Sequence, residues 1–359
     1  MKWDRPRFER SEVNRAGREL LATPPGEATP DWALEIVNNW RASHNYPLNA
    51  FEVSLRDRVR KHARASTVVQ RLKRLPSIRA KLALQPSMKL SQMQDIGGCR
   101  AVVPTWSTVL TLSELYKASR QKHTLIHEDD YINGPKPSGY RGIHLIYRYE
   151  SSARPEYNGL KIEIQLRTRL QHAWATAVET VGTLLTQPLK SSIGEEDWLR
   201  FFSLMGSALA FREGTPTIPG TPTTVGDLSN ELSELSERLR VEDVLTAYGR
   251  AIQTIYQGER RASYYLLELQ PAGGEGSHGV VTITGFESDQ LEEATRSYLG
   301  AETRLTEPGS QAVLVSVGSL QSLTVAYPNF FLDTRRFLDA LREALGRTPL
   351  NGSRTAQEP

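Results

Sequence analysis

The stretch Lys161-Ile162-Glu163-Ile164-Gln165-Leu166-Arg167 alternates polar and apolar side chains without a break. Because successive side chains of a β-strand point to opposite faces of a sheet, this alternation predicts a strand that buries its three aliphatic residues. The other face then presents Glu163, Gln165 and Arg167. A carboxylate, an amide and a guanidinium on one face of a strand indicate the floor of a polar site.

A second acidic residue precedes another candidate strand, residues 100–104. The run Asp95-Ile96-Gly97-Gly98-Cys99-Arg100 contains paired glycines, which permit a tight backbone turn and place Asp95 at the start of that strand. Two carboxylates from separate strands of one sheet can share Mg²⁺, which prefers oxygen ligands together with substrate phosphates. We therefore predict Asp95 and Glu163 as catalytic, metal-binding residues. Either carboxylate alone would equally suit a surface ion pair.

The loop between these two runs, residues 130–144, is rich in proline and glycine. Its prolines stiffen the backbone and its glycines allow turns. It carries Lys136, Tyr140 and His144. An aromatic ring beside cations on a rigid loop suits stacking on a base while a cation meets phosphate. Such loops also occur as ordinary turns.

Lysine and arginine are concentrated between residues 51 and 100, where 12 of them face three acidic residues. Five of these cations lie within residues 71–81. The surplus predicts contact with a polyanion, either the phosphates of a nucleotide or a nucleic-acid backbone, although a solvated helix face has the same composition. The sequence has no Gly-x-x-x-x-Gly-Lys-Ser/Thr motif, which excludes a Walker-type NTPase.

Hydrophobic periodicity predicts a mixed α/β fold and a smaller C-terminal α+β domain. Residues 30–82 have a helical pattern and residues 99–181 a mixed one. The run 213–222 is rich in glycine, proline and threonine and predicts a linker. We therefore predict an N-terminal domain over 1–212, a linker over 213–226, a C-terminal domain over 227–350 and a tail over 351–359. The candidate C-terminal elements are an acidic helix over 227–243, strands 264–269, 280–284 and 312–317, and a closing helix over 333–345.

Composition excludes several classes of protein. The chain has 359 residues, of which 39% are hydrophobic and 24% charged, with a net charge of +3, as in ordinary globular proteins. It has no run of 18 apolar residues, and its N-terminus is charged rather than apolar. The single cysteine, Cys99, argues against disulfides and cysteine-based zinc sites. We expect a cytoplasmic protein without membrane or zinc.

Taken together, these runs resemble the RelA/SpoT synthetase domain. Four blocks carry the resemblance in order over roughly residues 50–185: residues 71–82, residues 95–100, residues 130–144 and residues 163–168. The resemblance implies a nucleotidyltransferase-like fold, in which helices flank a mixed sheet. It also implies an ATP-dependent pyrophosphokinase that uses Mg²⁺ to transfer the β,γ-pyrophosphate of ATP to a ribose 3′-hydroxyl.

The same resemblance assigns roles to particular residues. Asp95 and Glu163 bind Mg²⁺, and Glu163 also activates the acceptor hydroxyl. The residues assigned to ATP are Arg71, Lys73, Ser77 and Lys81. The residues assigned to the acceptor are Lys136, Tyr140, His144 and Gln165, with Tyr140 stacked on its base.

The identity of the acceptor stays open. Ser138 stands where alarmone-making members of the family usually have asparagine. Tyr327 and Phe330 are similar to an autoinhibitory segment in fused toxin–antitoxin members of the CapRel type. That similarity implies an autoinhibited toxin that modifies the 3′ CCA end of tRNA when a phage protein is sensed. The alternatives are a small alarmone synthetase making (p)ppGpp from GTP or GDP, and a non-catalytic nucleotide- or RNA-binding regulator.

The charge of the predicted C-terminal domain suggests a contact with the N-terminal one. Residues 227–243 hold six acidic and two basic side chains, opposite in sign to the surplus over 51–100. Docking of the acidic helix on the basic stretch is one expectation. Two separately solvated surfaces are the other.

Overall fold

The computed structural model describes residues 3–24, 27–63, 65–119, 122–184, 195–250, 252–258, 262–270, 279–305, 310–316 and 334–347. The N-terminal elements are α1 (Arg10–Ala22), α2 (Asp31–Ser43), α3 (Asn45–His62), β1 (Thr67–Leu72), α4 (Leu75–Leu84), β2 (Gly97–Val103), α5 (Trp106–Lys117), β3 (Thr124–Asp130), β4 (Ile143–Arg148), β5 (Lys161–Thr168) and α6 (Arg169–Leu184). Two short 3₁₀ helices, Leu90–Gln92 and Pro155–Tyr157, lie between them.

The remaining elements follow along the chain: α7 (Glu196–Glu213), α8 (Val225–Arg238), α9 (Val241–Arg250), β6 (Ile252–Gly258), β7 (Tyr264–Gln270), β8 (Gly279–Phe286), α10 (Leu291–Arg304), β9 (Gln311–Ser316) and α11 (Arg335–Ala344). The predicted strands over 143–149, 161–167, 264–269, 280–284 and 312–317 are all present, with bounds that shift by one or two residues. Strand β2 covers the predicted strand 100–104 but begins three residues earlier.

The expectation of a continuous helical pattern over residues 30–82 is wrong at residues 67–72, which form strand β1. The run Thr67-Val68-Val69 is β-branched, and such side chains favour the extended backbone over the helix. The strand pairs antiparallel with β2, and Arg71 lies opposite Gly98. The cations over 71–81 therefore come from a strand and from the helix after it, α4.

Within the described ranges, nine strands form one mixed sheet in the order β3-β4-β5-β2-β1-β9-β7-β8-β6. The central pair β2 and β5 is parallel, with Gly98 opposite Glu163. Strand β9, from the C-terminal part of the chain, pairs antiparallel with β1 and places Val315 opposite Arg71. The sheet therefore runs without interruption from the N-terminal strands into the C-terminal ones.

Hydrophobic clusters cover the sheet and its helices. The largest packs α1–α5 against the N-terminal strands. A second gathers α6, α7, α8, α9 and α11 around Trp174 and Phe202. One face of the C-terminal strands, which includes Val313 and Val315, packs with Val69 of β1, and the opposite face packs against α10. Among the described residues, no helix is long and apolar enough to cross a membrane.

The predicted linker is irregular between α7 and α8, as its composition indicates, but its residues pack onto the protein. Ile218 is 1% exposed, and Thr221 is 8% exposed. The Ser207 hydroxyl of α7 accepts from the Ile218 amide at 2.9 Å. The domain boundaries at 212 and 227 stay a prediction.

Among the described residues, the carboxylates of the acidic helix form ion pairs with neighbouring helices and none with the basic stretch over 51–100. Glu231 of α8 pairs with Arg200 of α7 at 2.6 Å. Glu242 of α9 pairs with Arg342 of α11. These contacts form because α8 and α9 pack against α7 and α11 through their leucines, which places the acidic residues next to those helices.

Candidate active site

The strands β1, β2 and β5 and the turn before β2 line one cleft in the sheet. Asp95 and Glu163 both face it, together with Gln165. The remaining residues that line it are Val69, Arg71, Gly98, Cys99 and Arg100. Gly98 lies between Arg71 and Glu163 in the sheet register, and its lack of a side chain leaves space between them. The structure thus brings together the two predicted metal-binding carboxylates.

Asp95 is held between two ammonium groups. Lys73 Nζ donates to Asp95 Oδ2 at 2.8 Å, and Lys81 Nζ donates to Asp95 Oδ1 at 2.9 Å. Burial raises the pKa of Asp95, but Lys73 and Lys81 outweigh burial and leave that pKa below its ordinary value. Burial lowers the pKa of Lys73 despite its pairing with Asp95.

Glu163 lies at one end of a chain of hydrogen bonds. His144 Nδ1 lies 2.8 Å from Glu163 Oε1, and His144 Nε2 lies 2.5 Å from the Tyr140 hydroxyl. Arg167 donates to that same hydroxyl. Burial raises the pKa of Glu163, but His144 and the amide of Gln165 reverse the effect, so its pKa lies far below the ordinary range. Glu163 is ionised at neutral pH.

Gln165 connects Glu163 to two arginines. Its Nε2 donates to Glu163 Oε2 at 2.6 Å. Its Oε1 accepts from Arg100 Nε at 3.1 Å and from Arg167 Nη2 at 2.9 Å. Arg100 and Arg167 therefore belong to the site through Gln165. The alternation of polar residues along residues 161–167 is the sequence signal for this arrangement.

The loop before β4 presents its aromatic residues differently from expectation. The Tyr140 ring is only 5% exposed and lies edge-on to Tyr131, His144 and Trp174. Lys136 Nζ lies 4.0 Å from the centroid of Tyr131 and 5.5 Å from that of Tyr140. Tyr131, which is half-buried, is an aromatic residue of the site that the sequence reasoning left without a role. The sequence feature that could have indicated a role for Tyr131 is its position next to Asp130, at the end of β3.

Helix α7 and the segment after it hold this loop in place. A Cβ on Gly206 would lie 2.7 Å from the backbone of Gly139, so the loop and α7 touch backbone to backbone. Arg141 Nη1 donates to the Pro216 carbonyl at 2.8 Å, and Arg141 Nη2 donates to Thr215 Oγ1 at 2.6 Å. The loop that carries Lys136 and Tyr140 is therefore packed against α7 and bound to residues 215 and 216.

The other predicted residues take clear positions. Arg71 faces the cleft from β1. Ser77 and Lys81 lie four residues apart on α4 and so share one face of that helix. Tyr327 and Phe330, the predicted autoinhibitory residues, lie outside the described residues.

Most cations of the basic stretch have partners inside the chain. Arg60 pairs with Asp57 at 3.1 Å, and Arg58 donates to the Ser119 hydroxyl at 3.0 Å. Further contacts of this kind are made by Arg56, Lys73, Arg74, Arg79, Lys81 and Arg100. The charge surplus over 51–100 is thus largely used in intramolecular contacts. By itself it does not indicate a nucleic-acid surface.

The donor set of the cleft suits a divalent cation that is shared with a ligand. Two ionised carboxylates supply oxygen donors, which hard cations such as Mg²⁺ prefer. In the part of the chain that the structure describes, no group of three or more His, Cys, Asp or Glu could hold a metal. Asp95 and Glu163 would therefore hold Mg²⁺ together with phosphate oxygens and water.

Comparison with known proteins identifies this part of the chain. Residues 70–181, which include all the predicted metal-, ATP- and acceptor-binding residues, match the family described as "Region found in RelA / SpoT proteins". This segment of the chain is therefore similar to RelA/SpoT proteins. The expected mixed α/β fold and the expected resemblance are both confirmed, whereas the CapRel type stays a prediction.

Two curated proteins are similar in sequence to part of this chain. GTP pyrophosphokinase YjbM of Bacillus subtilis is 32% identical over 117 residues, which are 32% of this chain and 55% of the relative. GTP pyrophosphokinase YwaC of the same organism is 27% identical over 104 residues, which are 29% of this chain and 49% of the relative. The chain thus spans about half the length of the curated relatives that it matches.

Solved structures are also similar. Small alarmone synthetase 2 from Bacillus subtilis aligns with a TM-score of 0.42 and 21% identity, over 50% of this chain and 94% of that one. A GTP pyrophosphokinase family protein from Streptococcus pneumoniae aligns with a TM-score of 0.40 and 20% identity, over 56% of this chain and 92% of that one.

Proposed function

We propose that this chain is an ATP-dependent pyrophosphokinase that transfers the β,γ-pyrophosphate of ATP to the 3′-hydroxyl of GTP or GDP, with Mg²⁺. The observation that carries the proposal is that Asp95 and Glu163 line the same cleft. Lys73 and Lys81 both pair with Asp95 there. The named activity of the two curated relatives supports the guanine-nucleotide acceptor.

The ATP side of the cleft is cationic. Arg71, Lys73 and Lys81 converge near Asp95, and α4 places Ser77 beside Lys81. Phosphoryl-transfer enzymes act mainly by positioning the reactants and by stabilising charge, so a cluster of cations beside carboxylates suits a triphosphate. Asp95 and Glu163 would hold Mg²⁺, which when bound neutralises phosphate charge and orients the chain of phosphates.

The acceptor side offers hydrogen-bonding and aromatic groups. Glu163 is an ionised carboxylate that can accept a hydrogen bond from the acceptor hydroxyl and so orient and activate it. Lys136 lies over the Tyr131 ring and near the Tyr140 ring. In this position its ammonium group can contact an acceptor phosphate while one of these two rings contacts the base. His144 and Gln165 hold Glu163 in place.

The test is an acceptor assay with the full-length chain. Purified protein is incubated with Mg²⁺, ATP labelled in its γ-phosphate, and GDP, GTP or bulk tRNA in separate reactions. We expect label in the guanine nucleotides and release of AMP in equal amount. Glu163→Gln and Asp95→Asn should each reduce transfer by at least about 100-fold, since each removes a charge that positions the reacting groups.

Asp57→Asn is the matched control, because Asp57 is an exposed carboxylate on α3 that pairs only with a neighbouring arginine in the described contacts. It should transfer at the wild-type rate. Label in tRNA but not in guanine nucleotides would overturn the acceptor and favour the toxin. Binding of ATP or RNA without release of AMP in any reaction, by the wild type and by Tyr327→Ala alike, would favour the non-catalytic regulator.

The autoinhibited toxin stays a prediction with its own test, because Tyr327 and Phe330 lie outside the described residues. Full-length Tyr327→Ala is assayed beside the wild type with the same three acceptors. A silent wild type and an active Tyr327→Ala would support autoinhibition. Equal rates would contradict it. Activation by a phage protein is tested in the same assay. Candidate phage proteins are added to the wild type, and its transfer rates with and without them are compared.

A further inference from the structure

A buried arginine connects the ATP side of the cleft to the C-terminal helix α10. Arg41 of α2 is 1% exposed. Its Nε donates to the Lys73 carbonyl at 3.0 Å, and its Nη2 donates to the Tyr298 hydroxyl at 2.7 Å. Its Nη1 lies 2.8 Å from Glu302 Oε2. One guanidinium thus joins the backbone of Lys73 to two side chains of α10.

Glu302 binds the same loop a second time. Its Oε1 accepts from the Leu75 amide at 2.8 Å and from the Tyr298 hydroxyl at 2.8 Å. Leu75 is the first residue of α4, and the residue before it, Arg74, provides no side-chain cap. An anion at the start of a helix is stabilised by the free amide groups and by the helix dipole. Glu302 therefore caps α4 from a distant part of the chain.

The two anchors act on the segment that carries the proposed ATP-binding residues. Residues 73–75 are held on their backbone by Arg41 and Glu302, while the Lys73 side chain reaches Asp95. The Lys73 amide donates to the Ile96 carbonyl at 2.8 Å, next to Asp95. Helix α4 then carries Ser77 and Lys81 toward the cleft.

We infer that Arg41, Tyr298 and Glu302 are positioning residues for ATP, so α10 completes the ATP side of the cleft although it lies more than 100 residues beyond the RelA/SpoT region. This inference rests on the proposed function. The Glu302 side chain is 5% exposed, and a charge-assisted hydrogen bond to a carboxylate that is shielded from water fixes a backbone position more firmly than one to an exposed carboxylate. Loss of that bond should therefore let residues 73–75 and the start of α4 shift.

The experiment measures binding of two nucleotides to the full-length chain. A non-hydrolysable ATP analogue and GDP are titrated separately with Mg²⁺ into wild type, Glu302→Gln and Tyr298→Phe. For Glu302→Gln we expect the Kd of the ATP analogue to rise about tenfold and that of GDP to change less than about twofold. Tyr298→Phe removes only one hydroxyl, so it should raise the Kd of the analogue by about threefold. In turnover, KM for ATP should rise more than kcat falls.

Glu292→Gln is the matched control on the same helix. Its side chain is 68% exposed and lies 3.7 Å from Arg296. It should bind both nucleotides as the wild type does. If Glu302→Gln folds poorly, Tyr298→Phe carries the test.

Two results would overturn the inference. One is an unchanged Kd of the ATP analogue in both Glu302→Gln and Tyr298→Phe. The other is an equal loss of analogue and GDP binding that follows the loss of folded protein, which is what a merely structural contact would produce. A wild type that binds no ATP analogue would instead contradict the proposed function itself, and this inference with it.

Discussion

At the scale of single residues, the charged and hydrogen-bonding partners of Asp95 and Glu163 decide the charge of these two carboxylates more than burial does. Asp95 and Glu163 are both buried, which favours the neutral acid, yet both have a pKa below the ordinary value. The cause is the partner that each carboxylate has: two lysines for Asp95, and His144 with Gln165 for Glu163. Two anions can therefore coexist in one cleft, as the proposed chemistry needs.

His44 shows the opposite outcome, because it has no anionic partner in its recorded contacts. It is 1% exposed at the junction of α2 and α3, and its Nδ1 donates to the Trp40 carbonyl at 2.7 Å. Burial lowers the pKa of His44 to about 4, from about 6.5 in the unfolded chain. The unfolded chain thus takes up the proton first as the pH falls.

We therefore expect a loss of stability with acid that depends on His44. The stabilisation is complete above pH 6.5 and is lost as the pH falls toward 4, by about 2 kcal/mol at pH 5 relative to pH 7. His44→Asn, which keeps a donor for the Trp40 carbonyl, should flatten the dependence of the free energy of unfolding on pH in urea titrations. His62→Asn, at an exposed position, should retain it. Equal slopes for His44→Asn and wild type would contradict the assignment.

At the scale of elements, the loop before β4 depends on close packing against α7. Gly139 has a φ of +90° and Gly206 of α7 lies against its backbone. A left-handed backbone and a contact without side chains both need glycine. The Arg141 side chain adds contacts to residues 215 and 216, so the segment after α7 also supports the loop.

The comparison of two glycines tests this packing. In Gly206→Ala the added Cβ meets the Gly139 backbone at 2.7 Å, so one of the two elements must move. We expect the free energy of unfolding to fall by about 1–3 kcal/mol. We also expect the KM for the acceptor to rise more, relative to the wild type, than the KM for ATP. Gly226→Ala is the control, because a Cβ there meets nothing within 4 Å and alanine favours the helix α8. Gly226→Ala should be neutral or stabilising by up to about 1 kcal/mol. A Gly206→Ala protein as stable as Gly226→Ala would show that the loop does not need this contact.

At the scale of the whole molecule, the pairing of β1 with β9 makes the two parts of the chain share one sheet. Strand β1 carries Arg71 and Val69 on one face, and Val69 belongs to the same buried cluster as Val313 and Val315 of β9. The buried contacts of Arg41 with Tyr298 and Glu302 connect the same two parts. Unfolding the C-terminal strands would therefore expose both an apolar face and a buried ion pair.

This arrangement predicts a single cooperative unfolding transition for the full-length chain. Tryptophan fluorescence, which reports mainly on the N-terminal half and α7, and circular dichroism at 222 nm should give the same urea midpoint. Two separated midpoints would instead support independent domains divided near residues 213–226. Glu302→Gln should lower the common midpoint in both signals, because removing one partner leaves a buried charge unpaired.

Much of the candidate site could be predicted from the sequence because its signals are local. Alternation along residues 161–167 placed Glu163 and Gln165 on one face of a strand. The paired glycines indicated that Asp95 directly precedes a second strand, β2. The proline- and glycine-rich loop identified Lys136, Tyr140 and His144. Local periodicity did not predict the strand at residues 67–72. That strand is short and lies between two helices, so neither the helical nor the strand period continues over enough residues to be recognised.

The sequence by itself indicated the two carboxylates of the cleft, the cations near Asp95 and the strand that carries Glu163 and Gln165, because these signals are local. Only the tertiary structure decided that β9 extends the sheet beside Arg71, that Tyr140 is covered while Tyr131 is half-exposed, and that Glu302 caps α4. The physical reason is that periodicity reports on neighbours along the chain. Strand pairing and buried ion pairs join residues far apart, such as Arg41 and Tyr298, which are separated by 257 positions, and those contacts depend on how the whole core packs.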